Sequence, residues 1–326
     1  MTRSSAIRMH ETGGPEVLRW EPVELPQPGP GEARLRHTAI GLNFIDTYHR
    51  TGLYRTPLPA VLGSEAAGVV EAVGEGVDNV AVGDRVAYGT GPLGAYAEAR
   101  NVPASVLVKL APDVDDRIAA ATMLKGMTAH YLLEIGRLRE KRQVILVHAA
   151  AGGVGLLLCQ WAKHLGATVI GAVGSEEKAE LARANGCDHV VITGAVDLPA
   201  RVGELTGGAK VDVVYDSVGK DTFADSLHSL RPRGLLVSFG QSSGAVPPFD
   251  PRVLATNGSL FFTRPTLGDY VQKPAELVGR AQDLFDAIRT GILKVRVAQT
   301  YPLREAMQAH RDLEARKTTG STVLLP

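Results

Sequence analysis

The chain has 326 residues, of which 44% are hydrophobic and 21% charged; that ordinary globular make-up excludes disorder as the main state and suits about two domains. Lys plus Arg total 35 and so do Asp plus Glu, which excludes a whole-molecule field that collects nucleic acid or anionic membrane. Glycine alone stands off the mean, at 36 residues against a usual share of about 7%.

To about Ala120 the chain is rich in short β-like runs broken by Gly and Pro. Arg34–Ile40 alternates, Gly68–Val73 is apolar, and Arg85–Tyr88 and Leu107–Leu110 read as short strands. From about Lys125 the rhythm changes. Strands are expected at Gln143–His148, Thr168–Val173, Val190–Ile192, Val211–Tyr215 and Leu235–Gly240. Helices are expected between them at Gly153–Leu165, Glu176–Asn185, Leu198–Thr206 and Asp221–Leu230. Nearly continuous apolar strands alternating with helices mark a parallel sheet covered on both faces. After a strand at Ser259–Thr263 the alternation breaks. A helix is expected at Lys273–Thr290, then a tail of strand, helix and strand from Tyr301 to Leu325.

Cys159 and Cys187 have no CxxC neighbour, so neither a disulfide framework nor a thiol cluster for zinc is expected. Met1 to His10 has no apolar core of signal-peptide length, and the apolar stretch around Val154–Leu158 is far too short for a bilayer. A cytoplasmic protein that uses no membrane is expected.

Val144 to Gly155 runs from strand into helix through Ala149-Ala-Ala-Gly-Gly-Val-Gly155. It is a variant of GxGxxG with Ala150 in the first glycine position, then Gly152 and Gly155. Small residues let backbone N–H groups approach a diphosphate at a helix N-terminus, and the last Gly lets the helix pack on its strand. Gly153 and Val154 complete the loop. The second strand ends at Val173-Gly174-Ser175. A site for NAD would place Asp or Glu there for the ribose hydroxyls, and none is present. Lys178 follows within a turn and can pair a 2′-phosphate, although Glu176 and Glu177 would repel one if they faced it. NADPH is the expected cofactor.

The chain carries several further motifs: Gly14-Pro-Glu-Val-Leu18, Gly41-Leu-Asn-Phe-Ile-Asp46 with Thr47-Tyr48, Leu62-Gly-Ser-Glu-Ala-Ala-Gly-Val-Val70, Val82-Gly-Asp-Arg-Val86 and Gly94-Ala-Tyr-Ala-Glu98. Asp212-Val-Val-Tyr-Asp-Ser-Val-Gly219 and Val237-Ser-Phe-Gly-Gln-Ser-Ser-Gly244 join the glycine loop with Gln160 and Lys163. On these the chain resembles the zinc-free branch of the medium-chain dehydrogenase/reductases, and within it the zeta-crystallin-like NADPH:quinone oxidoreductases of bacterial type.

The resemblance implies an α/β protein: a GroES-like β-rich catalytic domain and an inserted Rossmann domain with a doubly wound parallel sheet. The divisions are 1–124 (catalytic, N-terminal part), 125–264 (NADPH-binding) and 265–326 (completing the catalytic domain). Zinc members of the superfamily carry Cys where Asn43 stands and His where Ser64 stands. An amide and a hydroxyl do not replace thiolate and imidazole ligands, so no metal is expected. An acceptor that needs no Lewis acid is implied, such as a quinone or another electron-poor compound.

The resemblance sets the nicotinamide against Asn43–Tyr48. Asn43 can bond the ribose or the acceptor oxygen. Tyr48 and Tyr54 can donate to a developing phenolate, or be packed aromatics with their hydroxyls satisfied elsewhere. Asp46 either orients its neighbours or caps a helix. Thr128 and Tyr131 match a helix segment near the diphosphate and ribose, Ser217, Phe239 and Ser242 fall at strand ends, and Arg316 with Lys178 faces the 2′-phosphate. Thr193 replaces a tyrosine that the bacterial members usually place near the adenine, and Lys141-Arg142 replaces a usual acidic or Gly turn.

The activity implied is quinone reduction by hydride transfer, or with a one-electron outcome giving semiquinones. A related enone or enal reductase, and a non-catalytic NADPH- or RNA-binding relative, are the alternatives. No nucleic-acid partner is expected from the balanced charge. Ser259–Leu267 reads as an apolar late strand ending near Pro265, an edge that is an aggregation hazard if left open; the resemblance implies that this edge pairs across a two-fold axis, so a homodimer through the strand near Phe261 is expected.

Overall fold

The computed structural model describes residues 2–136, 138 and 143–326; Lys141-Arg142 lies outside the described residues. The chain forms two units: Met1–Met127 with Val271–Asp286 and Val295–Pro326, and Thr128–Tyr270 with Ala287–Lys294. Of the tail after 264, residues 265–270 and Ala287–Lys294 group with the second unit and the rest with the first.

The first unit begins with β1 (Thr2–Met9), β2 (Arg19–Leu25), β3 (Glu32–Leu42), α1 (Phe44–Thr51), β4 (Ala60–Val61), β5 (Glu65–Val73), β6 (Arg85–Tyr88), β7 (Ala99–Pro103) and β8 (Val108–Lys109). Helix α2 (Asp116–Ile135) follows. It buries Ala119, Ala120, Ala121, Met123 and Met127, so its apolar residues do not form one stripe, and its period is hard to read from sequence. β1 pairs antiparallel with β2 and β4, and β3 pairs antiparallel with β5 and β7. In the β3–β5 register Gly41 lies opposite Glu65. A Cβ at Gly41 would sit 2.2 Å from the Ala120 carbonyl oxygen and 2.3 Å from Glu65 Oε1. Only glycine leaves room there for a buried carboxylate beside a helix. Leu35, Ile40, Val86, Tyr88 and Leu324 are fully buried in this unit's core, each such side chain worth roughly 1.5–3 kcal/mol.

The second unit alternates as expected: β9 (Val144–His148), α3 (Gly153–His164), β10 (Thr168–Val173), α4 (Glu176–Ala184), β11 (His189–Ile192), α5 (Leu198–Leu205), β12 (Val211–Asp216), α6 (Phe223–Ser229), β13 (Leu230–Ser238), α7 (Arg252–Thr256), β14 (Phe261–Thr263) and α8 (Leu267–Tyr270). The strand order is β11-β10-β9-β12-β13-β14, all parallel. Sequential strands run outward from β9 in two directions, the doubly wound Rossmann order whose reversal point lies beside the first strand. Leu146, Ile170, Val214 and Leu236 fill the interior.

Helix α9 (Pro274–Arg289), β15 (Val297–Pro302), α10 (Ala306–Glu314) and β16 (Ser321–Leu325) complete the chain. β16 pairs antiparallel with β3 and parallel with β15, so the C-terminus extends the N-terminal sheet. β15 ends at Pro302, close to where the sequence suggested a strand would begin; a short 3-10 turn at Leu303–Glu305 follows.

At the first β-to-α junction a Cβ on Gly155 would lie 2.3 Å from the Ala149 carbonyl oxygen, closer than helix α3 can tolerate without lifting off its strand. Gly155→Ala is expected to destabilise the fold by about 1–3 kcal/mol, the usual range for overpacking, read as a lower urea midpoint with an unchanged slope.

Candidate active site

Two buried carboxylates organise the polar centre of the first unit. β3 ends at Leu42, and Asn43 in extended backbone is the N-cap of α1. Asp46, the third residue of that helix, turns back so that its Oδ2 accepts the Asn43 N–H at 3.0 Å. That is half of a capping box, and it answers an orphan donor at the helix start. The same carboxylate does more than cap. Oδ2 also accepts the Tyr96 hydroxyl at 2.8 Å, and Oδ1 accepts the Ser64 hydroxyl at 3.2 Å. Asp46 is 0% exposed. Burial pushes its carboxyl up to about 6, against the opposing pull of the Asn43 N–H, the two hydroxyls and the Lys125 ammonium.

Glu65 opens β5 and is equally buried. Its Oε1 accepts Asn43 Nδ2 at 2.9 Å and Lys125 Nζ at 2.5 Å, and its Oε2 accepts the Leu124 N–H at 2.7 Å. The two carboxylates thus have different electrostatics: Glu65 has an ammonium in contact, whereas the groups touching Asp46 are neutral donors. The side chains of Asn43 and Ser64, where metal ligands would have stood, each bond one carboxylate, Glu65 and Asp46 respectively. Among the described residues no three His, Cys, Asp or Glu side chains gather as a metal-holding group.

A chain of hydrogen bonds runs back from Asp46. Tyr96 Oη is 3.0 Å from His310 Nε2, and His310 Nδ1 is 2.9 Å from Arg50. A guanidinium only donates, so His310 Nδ1 accepts and the ring proton sits on Nε2. Nε2–H then donates to Tyr96, whose own hydrogen is left for Asp46. Arg50 is 1% exposed and grips Glu314 with two nitrogens, at 2.9 and 2.6 Å. Burial, helped by the Arg50 charge, pulls His310 down to about 3.

Tyr48 is 8% exposed, with its ring edge-on to Tyr54 at 5.3 Å and tilted against Phe44 at 5.8 Å. Both tyrosines are therefore packed aromatics in this structure, whatever their hydroxyls meet in a complex. Arg316 is exposed on the first unit at a left-handed position, φ 58°.

In the second unit, Ala150 is buried behind the loop and Gly152 is the N-cap of α3. The N–H groups of Gly153, Val154 and Gly155 occupy the first turn, where no intrahelical acceptor exists. At the end of β10, Gly174 leads to Ser175, whose Oγ caps α4 by accepting the Lys178 N–H at 3.3 Å. Glu176 is drawn along its own helix by Arg183 at 2.9 Å. Thr193 binds the backbone of Val173 through both its N–H and hydroxyl, at 2.8 and 3.1 Å.

The loops after β12 and β13 are stitched together. Phe239 N–H donates to the Asp216 carbonyl at 2.8 Å, and Ser242 N–H donates to the Ser217 carbonyl at 3.2 Å. Ser217, Phe239 and Ser242 thereby meet at adjacent strand ends. Beside them lies a cavity of about 420 Å³ lined by Ser238, Gln241, Phe249, Phe262 and Arg264 among others. Thr128 is 7% exposed, and Tyr131 is 2% exposed and stacked on Tyr270 at 4.5 Å.

Sequence reasoning missed Glu65, Tyr96, Lys125, His310 and Arg50. Glu65 and Tyr96 sit inside the motifs given above, but a buried carboxylate leaves no local pattern that announces its partner Lys125. His310 and Arg50 are 260 positions apart, and nothing in either neighbourhood points to the other.

Residues 29–113 match the family described as Alcohol dehydrogenase GroES-like domain, and residues 153–275 match the one described as Zinc-binding dehydrogenase. The chain is 53% identical to a quinone oxidoreductase of Pseudomonas aeruginosa, over 98% of this chain and 99% of that one. It is 50% identical to a 2-haloacrylate reductase of a Burkholderia species, over 98% of both. The crystal structure of Escherichia coli quinone oxidoreductase complexed with NADPH superposes with a TM-score of 0.96 at 47% identity, covering 99% of this chain and 100% of that one.

His310 and the fully buried His37, which burial holds near 4, are neutral in the fold but take protons in the unfolded chain below about pH 6.5. The unfolded state then binds more protons, so stability falls as pH drops from about 6.5. In His310→Gln the slope of unfolding free energy between pH 4.5 and 6 is expected to lose one proton, about 1.4 kcal/mol per pH unit, in urea titrations across that range.

Proposed function

This chain belongs to the medium-chain dehydrogenase/reductases, in their zeta-crystallin-like quinone oxidoreductase branch, and on that premise we propose that it is an NADPH-dependent quinone reductase. The observation that carries the reading is the likeness, over nearly the whole chain, to quinone oxidoreductases, one of them solved with NADPH.

The residues at the glycine loop fit a dinucleotide. The N–H groups of Gly153, Val154 and Gly155 lie at a helix N-terminus, where a diphosphate is stabilised; Ala150 and Gly152, whose N–H is held by the Ala149 carbonyl at 2.9 Å, shape the loop before it. NADPH, when bound, supplies a hydride from nicotinamide C4. Gly174 and Ser175 leave the end of β10 without a carboxylate, and Arg183 draws off Glu176; Lys178 with Arg316 then takes the ribose 2′-phosphate. Thr128, Tyr131, Ser217, Phe239 and Ser242 complete the cofactor site in this reading. Asn43, Tyr48 and Tyr54 face the acceptor, with Asp46 buried behind them. Most of the rate comes from holding the two reactants in attack geometry.

The acceptor is a quinone. A second reading, an electron-poor alkene, is favoured by the 50% identity to a 2-haloacrylate reductase; fold alone does not choose between them. The protein acts in the cytoplasm as a homodimer. β14 is a sheet edge with a partner on one side only, and Phe261 on it is 63% exposed, an open apolar edge that a second copy would cover.

Absorbance at 340 nm should fall with NADPH and benzoquinone faster than with NADPH and an enone. Lys178→Ala should cut kcat/KM for NADPH about tenfold, the value of one exposed charge contact near 1.4 kcal/mol, and leave NADH unchanged. No oxidation with either acceptor would favour a binding role instead. Light scattering should give twice the monomer mass, and Phe261→Asp should return it to the monomer.

A further inference from the structure

The quinone reading leaves one proton unaccounted for, and the following rests on that reading. A quinone that takes a hydride becomes a hydroquinone monoanion. One proton must reach its oxygen, and the hydride does not bring it. In the first unit Asp46 is fully buried and Ser64 is only half-buried, with the Ser64 hydroxyl 3.2 Å from Asp46 Oδ1. The other carboxylate oxygen is fully engaged by the Asn43 N–H and the Tyr96 hydroxyl. A proton carried by Asp46 therefore sits on Oδ1, and Ser64 is the hydroxyl through which it leaves.

We propose that Asp46 and Ser64 form a proton relay, in which Ser64 hands its hydroxyl proton to the reduced acceptor and is refilled from the Asp46 carboxyl. As the Ser64 O–H bond breaks and the acceptor O–H bond forms, the Asp46 O–H bond breaks and Ser64 regains a proton. Two electrons and one hydrogen nucleus arrive as hydride, one proton arrives from Asp46, and the product is the neutral hydroquinone. The carboxylate left behind is stabilised by the Asn43 N–H and the Tyr96 hydroxyl, and water reprotonates it through Ser64.

The groups behind Asp46 make the relay run one way. Arg50 fixes the His310 tautomer, so every donor in the chain Arg50–His310–Tyr96 points toward Asp46. That chain holds the carboxylate without exchanging its proton, because Arg50 cannot give one up. Tyr96 and His310 are positioning residues. The other charges near Asp46 are the Lys125 ammonium and Glu65, which are paired with each other at 2.5 Å, and Glu314, which is paired with Arg50. Burial sets the Asp46 carboxyl near 6, where a general acid works best at neutral pH.

Two measurements test the relay. In the protein without cofactor, carbon-13 NMR of labelled aspartate carboxyls, assigned with Asp46→Asn, should show Asp46 titrating near pH 6. The midpoint should rise in Ser64→Ala and in Tyr96→Phe, since each loses a donor to the ionised form. A wild-type midpoint below pH 4.5 overturns the proposal. In turnover, Ser64→Ala should lower kcat on methyl-substituted benzoquinone about a hundredfold or more, as for loss of a general acid, and Ser64→Thr should restore most of it. The loss should shrink with chlorinated benzoquinones, whose hydroquinones are much stronger acids and need less help. Equal activity of Ser64→Ala and wild type, or an equal loss on every quinone, overturns the relay while quinone reduction stands. A wild-type protein that reduces no quinone overturns the quinone reading, and the relay as a quinone's proton source falls with it.

Discussion

Burying a carboxylate is among the most costly things a fold can do, and this one does it twice within a few ångströms of Asn43. A charge removed from water is tolerable only when its lone pairs are met by donors. Asp46 and Glu65 are both 0% exposed, and much of the first unit can be understood as meeting that demand. Gly41 gives up its side chain so that Glu65 has space. α2 brings the Lys125 ammonium and a backbone N–H. The segment before β7 supplies Tyr96, and α10 returns from the C-terminal end to supply His310. Removing any one donor exposes the cost of the others, because the groups share partners.

The two carboxylates then diverge in chemistry through their neighbours. Burial moves Asp46 toward protonation against the pull of its amide and hydroxyl donors, whereas Glu65 has the Lys125 ammonium at 2.5 Å. Environments that separate two like groups are how one site holds both a fixed charge and a movable proton. The second unit works on a different principle. Its contribution is bare backbone at strand ends, with aligned N–H groups and a serine cap in place of a carboxylate.

The doubly wound sheet was legible because period and length are local properties. Thr168–Val173 and Val211–Asp216 fall where the apolar runs place them, and the Gly152–Gly155 loop marks the junction that matters. The first unit was less legible. β1 and β2 carry no clean alternation, and α2 lacks a polar stripe to reveal its turn. At the site, Asp46 was visible with capping and orienting roles both open, and the fold gives it both; Asn43 was read as a partner of ribose or acceptor, and its place as the helix N-cap was not. Glu65 was visible only as a letter in a motif. Its partner Lys125 lies 60 positions on, and such pairings are decided by tertiary packing rather than by spacing. The glycine excess has two physical sources: turns and close approaches in the β-rich unit, and backbone access at the glycine loop.

The grip of Arg50 on Glu314 and His310 has a consequence for how the chain is made. Arg50 leaves the ribosome long before its partners exist. At about 5–20 residues per second, the 260 positions between Arg50 and His310 take roughly 13–50 s to synthesise. The alternating second unit, whose contacts are nearer in sequence, is complete before then. The N-terminal strands meanwhile wait without β16 and α10, holding a guanidinium with no counter-charge and a sheet short of its last strands. The first unit is thus the last to close, although it contains the first residues translated, and the final stretch from Ala306 to Leu325 acts as the latch.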